Sequence, residues 1–362
     1  MSRRNDFPVI DADAHVLETE RTWDYLEPSE EKYRPRLYST TDNPQEYWVI
    51  DGKICGFRFP TLGERELKTM SDQRGRNMET PRAASTMDDV ELRLRHMDEL
   101  GLDIQVLYNT LWIEQVSERP EIEAALCRSW NRWLADIWKQ SKGRLRWSCV
   151  VPAMLIDEAI EQITMAKQNG AVAVCLRPLD EERRDLTNRF YYPLYEAAVK
   201  LDMAIAVHIA NGNRDYCDLY RFSPASAVPM FRVPTVVSCF TYLMSDLPQL
   251  FPKLRWGFIE ASAEWIPWIY REVEIRYRAT GRKFSEDLFR ENRVFVTCQT
   301  NDDIPHILKF SGDHSLVIGT DYGHTDSASE VDAITGLNRL EGINPEVKKK
   351  ILSHNPKALY AL

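Results

Sequence analysis

The residues Asp11-Ala12-Asp13-Ala14-His15 close the apolar run Pro8-Val9-Ile10. Side chains alternate along a strand, so Asp13 and His15 emerge from such a run on one side. A carboxylate and an imidazole presented together can grip one divalent metal. Three later apolar runs end in the same chemistry: His208 in Ala-Val-His-Ile-Ala, Glu260 after Trp-Gly-Phe-Ile, and Asp321 in Ile-Gly-Thr-Asp-Tyr-Gly-His. Taken singly, His208 also reads as a satisfied core histidine and Asp321 as a loop cap. Glu260 is harder to place alone, because a carboxylate is expensive to bury without a cation or a donor. A shared metal accounts for all of them at once, with Asp13, His15, His208, Glu260 and Asp321 as its ligands.

The elements that must carry these groups are short apolar runs alternating with amphipathic stretches, the pattern of parallel βα units. The runs predict strands at Pro8–Asp13, Ile104–Tyr108, Leu145–Val151, Val172–Leu176, Ala204–His208, Arg255–Glu260, Arg293–Cys298 and Ser315–Gly319. Helical patterns fall between them at Met87–Leu100, Pro120–Gln140, Asp157–Asn169, Tyr192–Leu201, Trp265–Arg278 and Ser329–Leu340. Eight such units predict a (β/α)8 TIM barrel in the α/β class, occupying residues 1–362 as one domain. Barrel enzymes keep their chemistry at the C-terminal ends of the strands, which is where Asp13, His15, Arg177, His208, Glu260 and Asp321 all lie. Residues 19–87 break the rhythm. An insertion of that length after the first strand is too long for a plain loop and predicts a small lid, with strand-like fragments at Tyr47–Ile50 and Lys53–Phe59.

Composition narrows the function. With a net charge of −9, 44% hydrophobic and 28% charged residues, the chain reads as a globular protein without the basic face that a nucleic-acid partner requires. Lys348-Lys349-Lys350 and the Arg93 and Arg95 pair read as solvated helix faces. No apolar run reaches the roughly 18 residues of a membrane span, and Met1-Ser2-Arg3-Arg4-Asn5-Asp6 precedes too short an apolar run for a signal peptide. The seven cysteines are scattered without C-x-x-C spacing, which suits reduced thiols in a cytoplasmic protein. The absence of a Gly-x-Ser-x-Gly elbow, a P-loop or a dinucleotide fingerprint disfavours serine hydrolase and nucleotide chemistry.

These stretches resemble the amidohydrolase-related family, the group that includes aminocarboxymuconate-semialdehyde decarboxylase and the benzoate-type decarboxylases. The resemblance spans nearly the whole chain. It rests on Asp11–His15, Val207-His208, Leu250-Phe-Pro-Lys-Leu-Arg255, Gly319-Thr-Asp-Tyr-Gly-His324 and Asn355-Pro-Lys-Ala-Leu-Tyr360. It implies that Asp13, His15, His208 and Asp321 bind a divalent metal. The chain departs from the family where a His-x-Gly-Gly signature commonly follows strand 6, for it reads Phe258-Ile-Glu260-Ala-Ser-Ala-Glu264-Trp. A carboxylate there tends to stay ionised beside a dication and to bind or bridge metal. A carboxylate-rich site with some imidazole and no thiolate favours iron or manganese over zinc, with zinc the alternative.

Two enzymatic readings follow from the resemblance. The preferred one places the chain with oxygenases of this fold, hydroxylating a small organic acid with O2 at a dinuclear iron or manganese centre that Glu260 helps to hold. The alternative is a mononuclear zinc or manganese decarboxylase or hydrolase in which Asp321 or Glu260 acts as base. A third reading is a non-catalytic partner subunit of a hetero-oligomer with a related barrel; a homo-oligomer is expected otherwise. Glu260, Asp321 and His324 are the catalytic candidates, His324 as a substrate contact, a ligand or a group supporting one. Glu18 is a candidate ligand or a partner to one. Arg177 is a candidate clamp for a substrate carboxylate, or else pairs with Asp180 or Glu181. Tyr108, Trp112 and Trp265 are candidate pocket walls, and Asn211–Cys217 is expected to overhang the site. His96, His306, His314 and His354 are given no chemistry.

Overall fold

The computed structural model describes residues 6–42, 45–58, 62–220, 222–223 and 226–362. Residues Met1–Asn5, the end of the Lys53–Phe59 fragment and three positions within 209–230 lie outside the described residues. Eight parallel strands form the centre: β1 (Ile10–His15), β2 (Ile104–Tyr108), β3 (Leu145–Val150), β4 (Ala171–Leu176), β5 (Ala204–His208), β6 (Trp256–Ile259), β7 (Val294–Cys298) and β8 (Leu316–Ile318). They pair in sequence order, each with the next. The chain is a (β/α)8 barrel. Every expected strand is present, and the boundaries shift by two residues at most. Continuous runs such as Ala-Val-Ala-Val-Cys-Leu in β4 form strands because both faces are covered, one by the barrel interior and the other by helices.

The barrel closes where β8 meets β1. His15 N–H donates to Tyr322 O at 2.9 Å, and Thr320 and Asp321 N–H both donate to Asp13 O, at 3.0 and 2.9 Å. Buried Asp11 fastens this seam. It accepts from Thr320 N at 2.9 Å, from Thr320 Oγ1 at 2.6 Å and from Gln105 Nε2 at 2.7 Å. Burial pushes the Asp11 carboxyl up to about 6 even with those donors. Gly319 lets the two backbones meet, since a Cβ there would lie 2.3 Å from Asp13 Cβ and 2.9 Å from Asp13 O. Gly319→Ala is therefore expected to cost about 2 kcal/mol or more in denaturant unfolding and to displace Asp13. Wild-type stability in that variant would show that the seam yields.

The helix Val90–Leu100 begins later than the predicted Met87 because Asp89 caps it, accepting from Leu92 N at 2.8 Å. One expectation on it fails. Arg93 is fully buried, not solvated. Its guanidinium lies 3.5 Å from the centre of the Tyr322 ring and donates to Gln105 Oε1, His15 O and Ala84 O. Arg93 thereby braces the same seam from behind. The helix Val233–Met244 has no predicted counterpart, because its residues Val-Pro-Thr-Val-Val-Ser-Cys-Phe-Thr-Tyr-Leu-Met carry no charge and show no polar face.

The insertion holds an antiparallel sheet of Arg36–Tyr38, Tyr47–Ile50 and Lys53–Phe57, followed by a helix at Glu64–Arg74. The sheet lies against the loop after β2, where Cys55 Sγ meets Gln115 O at 3.1 Å and Lys53 pairs with Glu118 at 2.9 Å. Trp23, also in the insertion, packs against Trp48 and Trp112. The helix end lies against the loop after β8, with Arg74 donating to Thr325 O and Asp326 O, and Arg76 to Ser327 O. Both loops leave the C-terminal ends of the strands, so the insertion rests on the end of the barrel that carries the candidate ligands.

Candidate metal centre

Asp13, His15, His208, Glu260, Asp321 and His324 converge on the barrel axis, and all are buried. Their ligand atoms fall into two overlapping sets, each with all atoms within 4.8 Å of one another: Asp13, His15, His208 and Glu260, and His15, Glu260, Asp321 and His324. Glu260 and Asp321 sit just past β6 and β8 with left-handed φ of 66° and 50°, uncommon for residues bearing a Cβ. Such a bend lets a side chain leave the end of a strand and turn back toward the axis. The Glu260 N–H is held by Thr297 Oγ1 at 2.5 Å, and Asp321 Oδ2 accepts from Ser329 Oγ at 2.6 Å.

The hydrogen bonds around the two innermost histidines assign their protons. His15 Nδ1 lies 2.9 Å from Asn109 O, and His208 Nδ1 lies 3.0 Å from Ile209 O. A carbonyl only accepts, so each Nδ1 carries hydrogen, and the tautomer with that single hydrogen turns a bare Nε2 inward. Those Nε2 atoms face oxygens. His15 Nε2 is 3.4 Å from Glu260 Oε2 and 3.4 Å from Asp321 Oδ1, while His208 Nε2 is 3.2 Å from Glu260 Oε2 and 3.4 Å from Asp13 Oδ1. Acceptors pressed against acceptors in a buried site are repulsive unless a cation or a proton lies among them. His15 Nε2 and Glu260 Oε2 have no hydrogen-bond partner. The titration behaviour agrees: burial, then the neighbouring carboxylates of Asp321, Asp326 and Asp13, push Glu260 well above the usual carboxylate range. Burial and the Asp326 charge raise Asp321 to about 8, and burial drives His15 well below an ordinary imidazole. The donor set fits a divalent metal in charge, in tautomer and in unmet coordination.

His324 differs from the other two. Its Nδ1 is 2.9 Å from Asp321 Oδ1 and its Nε2 is 2.9 Å from Thr110 Oγ1. Thr110 spends its one hydroxyl proton on Val16 O at 2.9 Å, so Nε2 must donate to Oγ1. Burial opposes charge on this ring, yet the carboxylates of Asp321, Asp326 and Asp13 together outweigh it and raise the imidazole above its usual value. These contacts bias the ring toward holding a proton, although His324 also belongs to the second of the two ligand sets.

The remaining sequence candidates lie one layer out. Glu18 Oε1 accepts from Thr110 N at 3.0 Å and from Trp130 Nε1 at 2.9 Å, which places it behind the threonine that contacts His324. Tyr108 stands inside the barrel with its ring 4.7 Å from that of His208, and its hydroxyl is 2.7 Å from Tyr360 OH. Arg177 pairs with Glu181 at 3.3 Å. Together with Trp112, Glu123, Cys175 and Asp180 it lines a cavity of about 30 Å³ on the β3–β4 side of the centre. That space admits a water or two but no organic acid. Trp265 packs against Phe258 in the wall between barrel and helix. Asn211 N–H donates to Ile113 O at 2.9 Å, tying the 211–217 segment to the loop after β2.

Glu123 in that cavity wall carries a prediction. Burial raises it to about 7, with Arg177 opposing and Glu181 and Asp180 adding to the rise. The native state keeps this proton while the unfolded chain releases it near 4.5, so the contribution to stability is intact below pH 4.5 and is lost as pH climbs to about 7. Glu123→Gln should match wild type at pH 4.5 and exceed it by roughly 2–3 kcal/mol at pH 8. Parallel unfolding curves at both pH values would remove the argument.

Asn109, Thr110, Ser329 and Arg232 carry no signal in the sequence. Arg232 bonds Ser327 Oγ at 3.1 Å, and its charge partly offsets the rise in Glu260. Nothing local marks these residues, since each acquires its role from a partner distant in sequence.

The profile of the Amidohydrolase family matches residues 10–362, so the chain belongs to that family. Among solved structures, it is similar to an amidohydrolase from Mycobacterium avium subsp. paratuberculosis, at 17% identity and TM-score 0.77, over 98% of this chain and 100% of that one. It is also similar to 5-carboxyvanillate decarboxylase from Sphingomonas paucimobilis, at 16% identity and TM-score 0.68, over 99% and 100% of the two chains. A 2,6-dihydroxybenzoate decarboxylase from Rhizobium matches at 16% identity and TM-score 0.67, over 98% and 99%. The protein is thus an enzyme of a metal-dependent family with buried side chains suited to a metal, and among the described residues no helix is long and apolar enough to cross a membrane.

Proposed function

We propose that the protein is a metal-dependent decarboxylase or hydrolase of a small organic acid, working with one divalent ion. The observation that carries this reading is the pair of bare Nε2 atoms on His15 and His208, turned onto the carboxylates of Asp13, Glu260 and Asp321. Those five residues would hold the ion, and manganese, iron and zinc all suit such oxygen and imidazole donors. When bound, the ion supplies positive charge that polarises a substrate oxygen. His324 argues for one ion over two, because against burial the carboxylates of Asp321, Asp326 and Asp13 raise its ring above the ordinary imidazole value and favour a proton on it. The neighbouring structures named as decarboxylases favour decarboxylation, and nothing found supports hydroxylation with O2.

In this reading His324 is the acid. Loss of CO2 leaves an electron pair on carbon that must take a proton, and the His324 ring, 2.9 Å from the Asp321 carboxylate, is placed to hold one beside the centre. Thr110 fixes the ring from behind, and Glu18 fixes Thr110. Arg232 is the cation placed to orient a substrate carboxylate, since its charge already acts on Glu260, and the insertion would exclude water as a lid over the site. The test is a purification supplemented in turn with manganese, iron and zinc. About one ion per chain, with CO2 or a hydrolysis product formed from benzoate-type acids and no oxygen consumed, is the expected result. Oxygen uptake coupled to product, or two ions per chain, would restore the oxygenase reading.

A further inference from the structure

The opposite end of the barrel holds a second feature that the reaction does not use. A cavity of about 390 Å³ opens there, walled by Arg290, Arg293, His314, Lys350 and His354 and floored by Val294 and Phe295. Val294 begins β7 and His314 precedes β8, so this space lies under the N-terminal ends of the strands, a full strand length from the metal centre. The chain as a whole carries −9, yet every titratable group lining this cavity is a cation or an imidazole. Asp313, just outside the lining, engages Lys350 Nζ at 2.7 Å and His314 Nδ1 at 2.6 Å. Arg290 and Arg293 have no carboxylate within ion-pair distance among the described residues.

We propose that this cavity binds a small polyanion carrying at least two phosphate or carboxylate groups. Its size falls within the range of small-molecule sites, and two guanidiniums with one ammonium match such an anion in charge and in donor geometry. Lys350 and His314 are pre-positioned by Asp313, which lowers the ordering cost of binding. The Phe295 floor adds an apolar surface for the body of the ligand. The chemistry is unlike that of the active site, where the charge is carboxylate and the expected counterion is a metal.

Calorimetric titration of the full metal-loaded chain with pyrophosphate, and separately with citrate, tests the proposal. One of the two should bind one equivalent with an affinity that falls as salt is added; which one binds distinguishes phosphate from carboxylate recognition. The double variant Arg290→Ala, Arg293→Asn removes exposed side chains only and should fold as wild type by circular dichroism, while its affinity drops at least tenfold. Asparagine tolerates the left-handed backbone at 293, where φ is 53°. Failure of both anions to bind at millimolar concentration overturns the proposal. So does equal binding by wild type and the double variant, which would place the anion at the metal centre instead.

Discussion

Stripping the metal with a chelator, or replacing His208 by Ala, is expected to abolish turnover and to lower the thermal midpoint by roughly 5–10 °C at pH 8. The loss in rate should be about 10³-fold or more, the equivalent of some 4 kcal/mol of charge stabilisation. Removing His208 deletes one of the two bare Nε2 atoms and leaves Asp13 and Glu260 without their shared neighbour. The stability effect has a definite direction in pH. Without metal, Asp321 is raised from 3.8 to about 8, and Glu260 is raised well above its ordinary range. Over that window the metal-free native state holds protons that the unfolded chain has released. Its stability from these groups is whole below the unfolded value and drains away as pH rises toward 8. Ligation needs the same carboxylates ionised, so metal affinity moves the other way and strengthens with pH. The gap in midpoint between loaded and stripped protein should therefore widen from pH 5 to pH 8. Differential scanning fluorimetry with and without chelator reads it directly. A gap that closes with rising pH would mean that these side chains do not hold the ion.

The same chemistry explains why the ligands are legible in the amino-acid sequence. Each is a polar group ending a short apolar run, and β-strands buried on both faces make such endings visible: Asp13 and His15 after Val9-Ile10, His208 after Ala206-Val207, Glu260 after Phe258-Ile259. The strands themselves read well because the βα alternation is strong and local. What does not read is tertiary in origin. Arg93 sits in a helix of mixed charge, and no local pattern says that its guanidinium faces Tyr322 rather than water. Asn109 matters through its backbone carbonyl, which any residue would offer. Ser329 and Thr110 are ordinary loop residues until Asp321 and His324 are brought to them. The insertion is visible as a unit, and two of its three strands are visible with it. That its arginines reach the 325–327 carbonyls depends on packing that pairs residues some 250 positions apart.

If the ring delivers a proton and does not carry the ion, as proposed, His324→Gln should lower kcat by about 10²- to 10⁴-fold while the metal content stays at wild-type level. The division between the two effects separates an acid from a ligand. Were His324 a ligand, its loss would reduce metal occupancy along with rate, as His208→Ala is expected to do. Thr110→Val sharpens the test. Valine keeps the shape of threonine but cannot accept from Nε2, so the ring loses the partner that sets its protonation and tilt. The protonated ring, no longer hydrogen-bonded at Nε2, should give up its proton more readily, and the basic limb of the kcat profile should move to lower pH. Measuring kcat, metal content and the pH profile for both variants decides the matter. Retained metal with a large loss in kcat in the first variant, and a shifted basic limb in the second, assign the proton to His324. Loss of metal in His324→Gln would instead return the ring to the coordination shell and reopen the case for two ions.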